Sequence, residues 1–342
     1  MLETAKFFTS LIDDQYDQGD PNIVEIPEAA RGKYRFRYYA FVTDDSDYGR
    51  KNHPGKAFPC YGSNDLFSWT DLGPALTTTD NNARWAPCVG YYPALPRPFV
   101  MLYSRARGTG EEAHVQHKIR RADSETPEGP YVDSGQVLTA DIDFSIDPNI
   151  YRDKQGKLQM AFATDFVDNA PVGTGLAHVE ISEDLTTTIG EVKLLMRATA
   201  DWQMYDPSRV MPWKTIPGVD WSKDRVKWHC VEGPVGGIVG PNGRRFAFYS
   251  AGNYSHLYAV GIAEELADGT YKDLSTDPKQ CLLAPEPERG FYSVGRIGTV
   301  FGPDGQLYAT FHARFGSPEA PRRLGISQLR WTDDGLPYCP RP

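Results

Sequence analysis

No stretch of this sequence approaches the roughly 20 consecutive apolar residues of a bilayer-crossing helix, which argues against a helical membrane protein. Positive charge is also scarce. Lys and Arg number 36 against 45 Asp and Glu, the net charge is −9, and no basic stripe offers a phosphate backbone or an anionic membrane a footing. Five cysteines (Cys60, Cys88, Cys230, Cys281, Cys339) are too few and too scattered for a disulfide framework, and none lies in a CxxC pair. Buried free thiols in a reducing compartment are the expectation. The N-terminus, MLETAKFFTSLIDDQ, has neither a basic nor an apolar leader region, so the chain is expected to be cytoplasmic, or secreted if a leader was removed. Also missing are a Gly-rich phosphate loop before a helix, a GxSxG nucleophile elbow and any long 3.6-residue periodicity.

Turn formers and strand formers are abundant instead. There are 32 glycines and 27 prolines, and 12% of the residues are aromatic, a composition suited to many short strands joined by turns. The tetrapeptide Asp-Pro-Asn-Ile occurs twice, in GDPNIVEIPEAARGKYRFRYYAF from Gly19 and IDPNIYRDKQGKLQMAFATD from Ile146. Each copy reads as a strand, a turn at Gly32 or Gly156, and an alternating apolar strand. Segments from Trp85, Glu232 and Gly295 follow the same plan, with LPRP replacing the turn glycine in the Trp85 copy. Strand–acidic turn–strand elements such as YGSNDLFSWTDLG and VGIAEELADGTYKD fill the spaces between.

Five four-stranded antiparallel sheets result, and sheets so small are stable when packed radially. The predicted fold is therefore all-β, a single five-bladed β-propeller domain over residues 1–342. Its blades open near Asp20, Trp85, Asp147, Glu232 and Arg296.

The first strand of a propeller blade lines the central axis, so these residues are expected to share one cavity. Asp147 and Arg296 stand at equivalent places, nine residues before Gly156 and Gly305. Three carboxylates (Asp20, Asp147, Glu232) would then converge, and buried charges without partners are costly. Glycoside hydrolysis gives such a cluster a purpose, because it needs one carboxylic acid and one carboxylate. Asp-Pro is also a common turn starter, as at Asp206 and Asp277, but neither of those precedes a repeat's first strand. Trp85 and Phe144 are expected to face the sugar, and Arg296 to donate hydrogen bonds to it and to restrain the charge on its carboxylate neighbours. His114 and His117 lie three apart, but no third ligand follows, so no zinc site is expected there.

The chain resembles glycoside hydrolase family 43, the five-bladed propeller arabinofuranosidases, arabinanases and xylosidases. GDPNI at Asp20, RWAPCV at Trp85, SIDPNI at Asp147, CVEGPVG at Glu232 and YATFHARF at His312 carry the likeness. The resemblance implies Asp20 as general base, Asp147 as the residue that tunes the acid, and Glu232 as general acid, acting with inversion. It also implies that His312 lies near a bound calcium ion or its waters, with no cofactor needed for the chemistry. The expected substrate is an oligosaccharide or polysaccharide, with no nucleic-acid, membrane or protein partner. An exo-acting α-L-arabinofuranosidase on arabinan or arabinoxylan oligosaccharides leads, ahead of β-xylosidase, endo-arabinanase and galactofuranosidase. A non-catalytic sugar-binding propeller is the alternative of a different class. The segment from Ala198 to Lys227 fits none of the repeats and is expected to bear on specificity.

Overall fold

The computed structural model describes residues 8–9, 17–43, 56–78, 80, 82–106 and 116–340. Strands dominate it, and the helices are single 3-10 turns. Among the described residues no helix is long and apolar enough to cross a membrane. After a two-residue strand β1 (Phe8–Thr9), the first group comprises β2 (Gly19–Glu25), β3 (Tyr38–Thr43), β4 (Lys56–Ser63) and β5 (Thr70–Thr77). The second holds β6 (Arg84–Tyr91), β7 (Phe99–Arg105), β8 (Lys118–Ser124) and β9 (Tyr131–Val137). The third holds β10 (Ser145–Arg152), β11 (Leu158–Phe166), β12 (Gly173–Ile181) and β13 (Thr188–Met196). A short β14 (Met204–Arg209) precedes the fourth: β15 (Val226–Val239), β16 (Arg245–Gly252), β17 (Tyr258–Glu265) and β18 (Tyr271–Asp273). The last group is β19 (Phe291–Phe301), β20 (Leu307–Phe315) and β21 (Arg322–Gln328). It is completed from the other end of the chain by β1, which pairs Phe8 with Ile326 and Thr9 with Gly325.

Within every group consecutive strands pair antiparallel. Most first hairpins turn where the sequence places glycine: Gly156 and Gly305 adopt φ of 81° and 76°, a region open to glycine without steric cost. The second strands are the most buried; all six residues of β3 are inside. The first strands then pack against one another in a closed order, β2 on β6, β6 on β10, β10 on β15, β15 on β19, and β19 on β2.

An apolar cluster fills each space between neighbouring groups. Phe41 and Phe58 meet Met101 and Tyr103 between the first and second groups. Val100 and Leu102 meet Met160 and Phe162 between the second and third. Ile146 and Ala163 meet Val231 and Tyr249 next, then Phe246 and Phe248 meet Val294 and Phe311. Leu324 and Ile326 against Tyr38 close the circuit. Each fully buried Phe or Leu contributes about 1.5–3 kcal/mol, and no group could cover such a face alone.

Two expectations need correcting. The sequence predicts five separate sheets, but short parallel contacts join the groups. Leu76–Thr77 pair with Tyr131–Val132, and Gly173–Thr174 with His229–Cys230, giving eight- and nine-stranded sheets. Nor do Glu232 and Arg296 open their strands, because β15 and β19 run on outward. The outer half of β15 is held there by β14. The five buried cysteines are all free.

Candidate active site

All five first strands break register at the same place, a bulge that re-aims side chains. The breaks fall between Gly19 and Asn22, Trp85 and Cys88, Ile146 and Asn149, Glu232 and Val235, and Gly295 and Gly298. The residue just after each break begins is left-handed: Asp20 (φ 48°), Ala86 (51°), Asp147 (60°), Gly233 (61°) and Arg296 (45°). Such a conformation costs a non-glycine residue on the order of 1–3 kcal/mol and is kept only where the surroundings enforce it. Proline follows in four of the five (Pro21, Pro87, Pro148, Pro234), where the missing ladder bond leaves no N–H to be lost. Glu232 and Trp85 therefore stand one residue ahead of the places that Asp20 and Asp147 occupy in their own groups.

The left-handed N–H groups reach to the neighbouring group. Ala86 N–H donates to Thr43 Oγ1 (2.7 Å), Asp147 N–H to Ser104 Oγ (3.1 Å) and Arg296 N–H to Ser250 Oγ (2.7 Å). Asp20 N–H donates to His312 Nδ1 (3.0 Å). Each acceptor lies opposite its own group's bulge on the second strand. At the matching place the third group has Ala163, opposite Ile146, and alanine cannot accept. The Gly233 N–H goes instead to Asp147 Oδ2 at 2.8 Å. The repeated Asn works similarly: Asn22 Oδ1 accepts from Val89 N–H (2.8 Å) and Asn149 Oδ1 from Gly236 N–H (3.4 Å).

Asp20, Asp147 and Glu232 line one open cavity of about 830 Å³, together with Trp85, Phe144 and His312. Their environments differ. Burial alone would raise the Asp20 carboxyl, but Arg322, with Nη1 3.8 Å from Oδ2, joins Arg296 and the Thr43 hydroxyl to hold it below its ordinary value. Burial also acts most strongly on Asp147, which Arg296 pulls down and the charges of Glu232 and Asp20 push up, to about 7. Burial raises Glu232 as well, with the charge of Asp20 adding to it, against hydrogen bonds from Tyr258 and Cys230. One cavity thus holds a carboxyl lowered below its ordinary value and another raised above it, the direction of difference that an acid–base hydrolysis requires.

The remaining predicted residues are placed as follows. Trp85 has one indole face covered by His117, ring centroids 3.9 Å apart. Arg296 is turned away from the cavity lining, with Nη1 3.3 Å from Asp147 Oδ1 and Nη2 donating to the Pro148 carbonyl at 3.0 Å. His312 is neutral: burial first, then Arg322, push it down to about 3, and Nδ1 as acceptor leaves the proton on Nε2. It could give a cation no more than one nitrogen, whereas calcium takes six to eight oxygens. Among the described residues there is no grouping of three or more His, Cys, Asp and Glu suited to a metal. His114 lies outside the described residues.

Sequence reasoning missed Tyr258, whose hydroxyl donates to Glu232 Oε1 at 2.7 Å while its ring stacks on His312. Gly295 is the trace it leaves, since a Cβ there would fall 1.9 Å from that ring. Arg322 was also missed; Asp17 fixes it through Nε at 2.9 Å. Asp206, read as a turn starter, lines the cavity too.

The profile of the family described as glycosyl hydrolases family 43 matches residues 25–337. The chain belongs to that family. The enzyme is thus a glycoside hydrolase, and inversion is the family's course. A thermostable family-43 glycoside hydrolase is similar over 98% of this chain and 96% of its own, at 23% identity and a TM-score of 0.73. An endo-1,4-beta-xylanase from Bacteroides thetaiotaomicron is similar over 97% of both chains (24% identity, TM-score 0.68). An alpha-L-arabinofuranosidase from Lactobacillus brevis is similar over 98% of this chain and 97% of its own (16%, 0.69). At such identities the likeness extends to the fold. No curated protein matches the sequence.

Proposed function

We propose that this family-43 enzyme is a single-domain five-bladed propeller that removes terminal α-L-arabinofuranosyl units from arabinan or arabinoxylan oligosaccharides. What supports the hydrolytic reading is the convergence of Asp20, Asp147 and Glu232 on one cavity, with the Asp20 carboxyl held below its ordinary value and the Glu232 carboxyl raised above it. In this reading Glu232 protonates the leaving oxygen while Asp20 takes a proton from water attacking the opposite face of the sugar. Asp147 receives the Gly233 N–H beside Glu232, and Arg296 restrains the charge on Asp147. Tyr258 holds the acid's other oxygen in place. Trp85 and Phe144 offer apolar surface to the sugar ring. A hydrated calcium ion beside His312 is auxiliary in this reading.

A panel of nitrophenyl glycosides tests the sugar. The α-L-arabinofuranoside should be cleaved fastest, and proton NMR should show the inverted anomer forming first. Preference for the β-xyloside would overturn the choice of sugar, and a retained anomer would overturn the roles of Asp20 and Glu232.

A further inference from the structure

Residues 198–227 form an ordered wall of the cavity outside the five repeats. Met211 and Ile216 pack with Trp228 in an apolar cluster of their own. Lys214 pairs with Asp165 at the end of β11, and Trp221 Nε1 donates to the Lys214 carbonyl at 2.7 Å, so the wall is pinned at both levels.

Its inner surface presents a guanidinium and several aromatic rings to the cavity. The Arg209 guanidinium lies 5.0 Å from the ring centroids of both Tyr205 and Trp228, and makes no hydrogen bond or ion pair to a described residue. Two aromatic rings holding a planar fork preorganise its donors. Trp228 is 1% exposed and, packed with Met211 and Ile216, backs the guanidinium from within the wall. At the rim Trp213 and Tyr254 remain 38% and 49% exposed. All five residues line the cavity.

The position of this wall fixes which part of a substrate it would meet. Trp228, Cys230 and Glu232 alternate along one face of β15, so Trp228 lies roughly 13 Å outward from Glu232 at about 3.3 Å per residue. An acid gives its proton to the leaving oxygen, so the leaving group departs toward Glu232 and this wall. A cavity of about 830 Å³ lies near the top of the roughly 300–1,000 Å³ range of ligand pockets, far more than one sugar of about ten heavy atoms fills.

We infer that residues 198–227 build a binding subsite for the leaving-group side of the substrate. Arg209 donates to the hydroxyls of a further neutral sugar unit, and Trp213 stacks on its apolar face. This rests on the hydrolytic reading of Glu232, and the test separates the two.

The probes are oligosaccharides of two, three and four units and a nitrophenyl glycoside, all bearing the same terminal sugar. In the unaltered enzyme kcat/KM should rise from two units to three. In Arg209→Gln and in Trp213→Ala, the ratio of kcat/KM for the trisaccharide to that for the nitrophenyl glycoside should fall about tenfold, the loss of one well-made contact. Trp213→Phe should restore most of it. Trp213 belongs to no apolar cluster, so that variant tests the subsite even if Arg209→Gln fails to fold. A ratio unmoved in Trp213→Ala, or equal losses on both substrates, overturns the subsite alone. Equal losses on the trisaccharide and the nitrophenyl glycoside in Glu232→Gln would instead remove the reading of Glu232 beneath it.

Discussion

Four junctions between neighbouring strand groups are closed by a hydroxyl or an imidazole, and the fifth by a carboxylate. Thr43, Ser104, Ser250 and His312 each accept the left-handed N–H of the next group. At the third junction Ala163 offers nothing, and Asp147 reaches across to the Gly233 N–H. The four regular junctions satisfy a buried donor with a group that stays neutral, and so contribute to stability at any ordinary pH. The fifth satisfies the same donor with a group pushed up to about 7, directly beside Glu232. Titration has entered the ring at the one place where a structural acceptor is missing. Both kinds of junction rest on the same bulge, so the strain of a left-handed residue serves scaffold and site alike.

The largest effects should come from breaking the exceptional junction at its chemical end. Glu232→Gln keeps shape but cannot donate a proton, and general acid help is worth about 10²–10⁴-fold. Losses of that order are expected on oligosaccharides, with much smaller losses on nitrophenyl glycosides, whose leaving group departs unprotonated. Asp20→Asn, at the regular junction closed by His312, should cripple both substrate types alike, with azide giving partial rescue as an inverted glycosyl azide. Equal losses for Glu232→Gln on both substrates would mean that the acid lies elsewhere.

Asp147→Asn separates stability from rate. The folded carboxyl titrates near 7 against an ordinary 3.8, so its contribution to stability is complete below about pH 4 and is lost as pH rises through 7. Asparagine does not titrate. The stability of Asp147→Asn relative to the parent should therefore grow between pH 4 and 8, as read from urea midpoints. The alkaline limb of its kcat/KM profile should move downward, because a neighbouring charge that favours protonated Glu232 is gone. A stability difference independent of pH would show that Asp147 is ionised throughout.

Ser250→Ala breaks a regular junction. It strands the buried Arg296 N–H, at a cost of about 1–3 kcal/mol. The urea midpoint should drop with the slope unchanged, equally at pH 5 and pH 8. A pH-dependent loss would mean that the junctions are not of two kinds.

Much of this was legible in the sequence, for identifiable reasons. Asp-Pro and Gly-Pro recur in the first strands, where proline tolerates a broken ladder, although the bulges themselves are seen only in the structure. Asp-Pro-Asn-Ile announced two cavity-facing acids, whereas the ties made by its Asn appear only in the structure. What stayed hidden depends on pairing across the chain. Arg322 reaches Asp20 over 302 residues, and Tyr258 reaches Glu232 only because Gly295 leaves room. Arg296 was expected both at the sugar and beside the carboxylates, and its contact with Asp147 is the second of these. Segment 198–227 has no repeat to align with, so only its packing reveals that Arg209 and Trp213 line the cavity.

The smallest effect, and the sharpest on the comparison itself, should come from giving the exceptional junction what it lacks. Ala163→Ser places a hydroxyl opposite Ile146, where the other groups carry their acceptors. The site is fully buried, and one added oxygen is the least volume that can supply an acceptor. A hydroxyl there competes with Asp147 Oδ2 for the Gly233 N–H. That bond favours the ionised carboxyl, so losing it should push Asp147 further above 7. The shift should appear in a carbon NMR titration of labelled aspartate as a displacement of one carboxyl midpoint toward higher pH. Activity at neutral pH should change only a few-fold, because Glu232 keeps Tyr258 and its burial. A midpoint moving downward would mean that the new hydroxyl donates to Asp147 instead of relieving it of Gly233, and the missing acceptor at Ala163 would no longer explain why a carboxylate closes that junction.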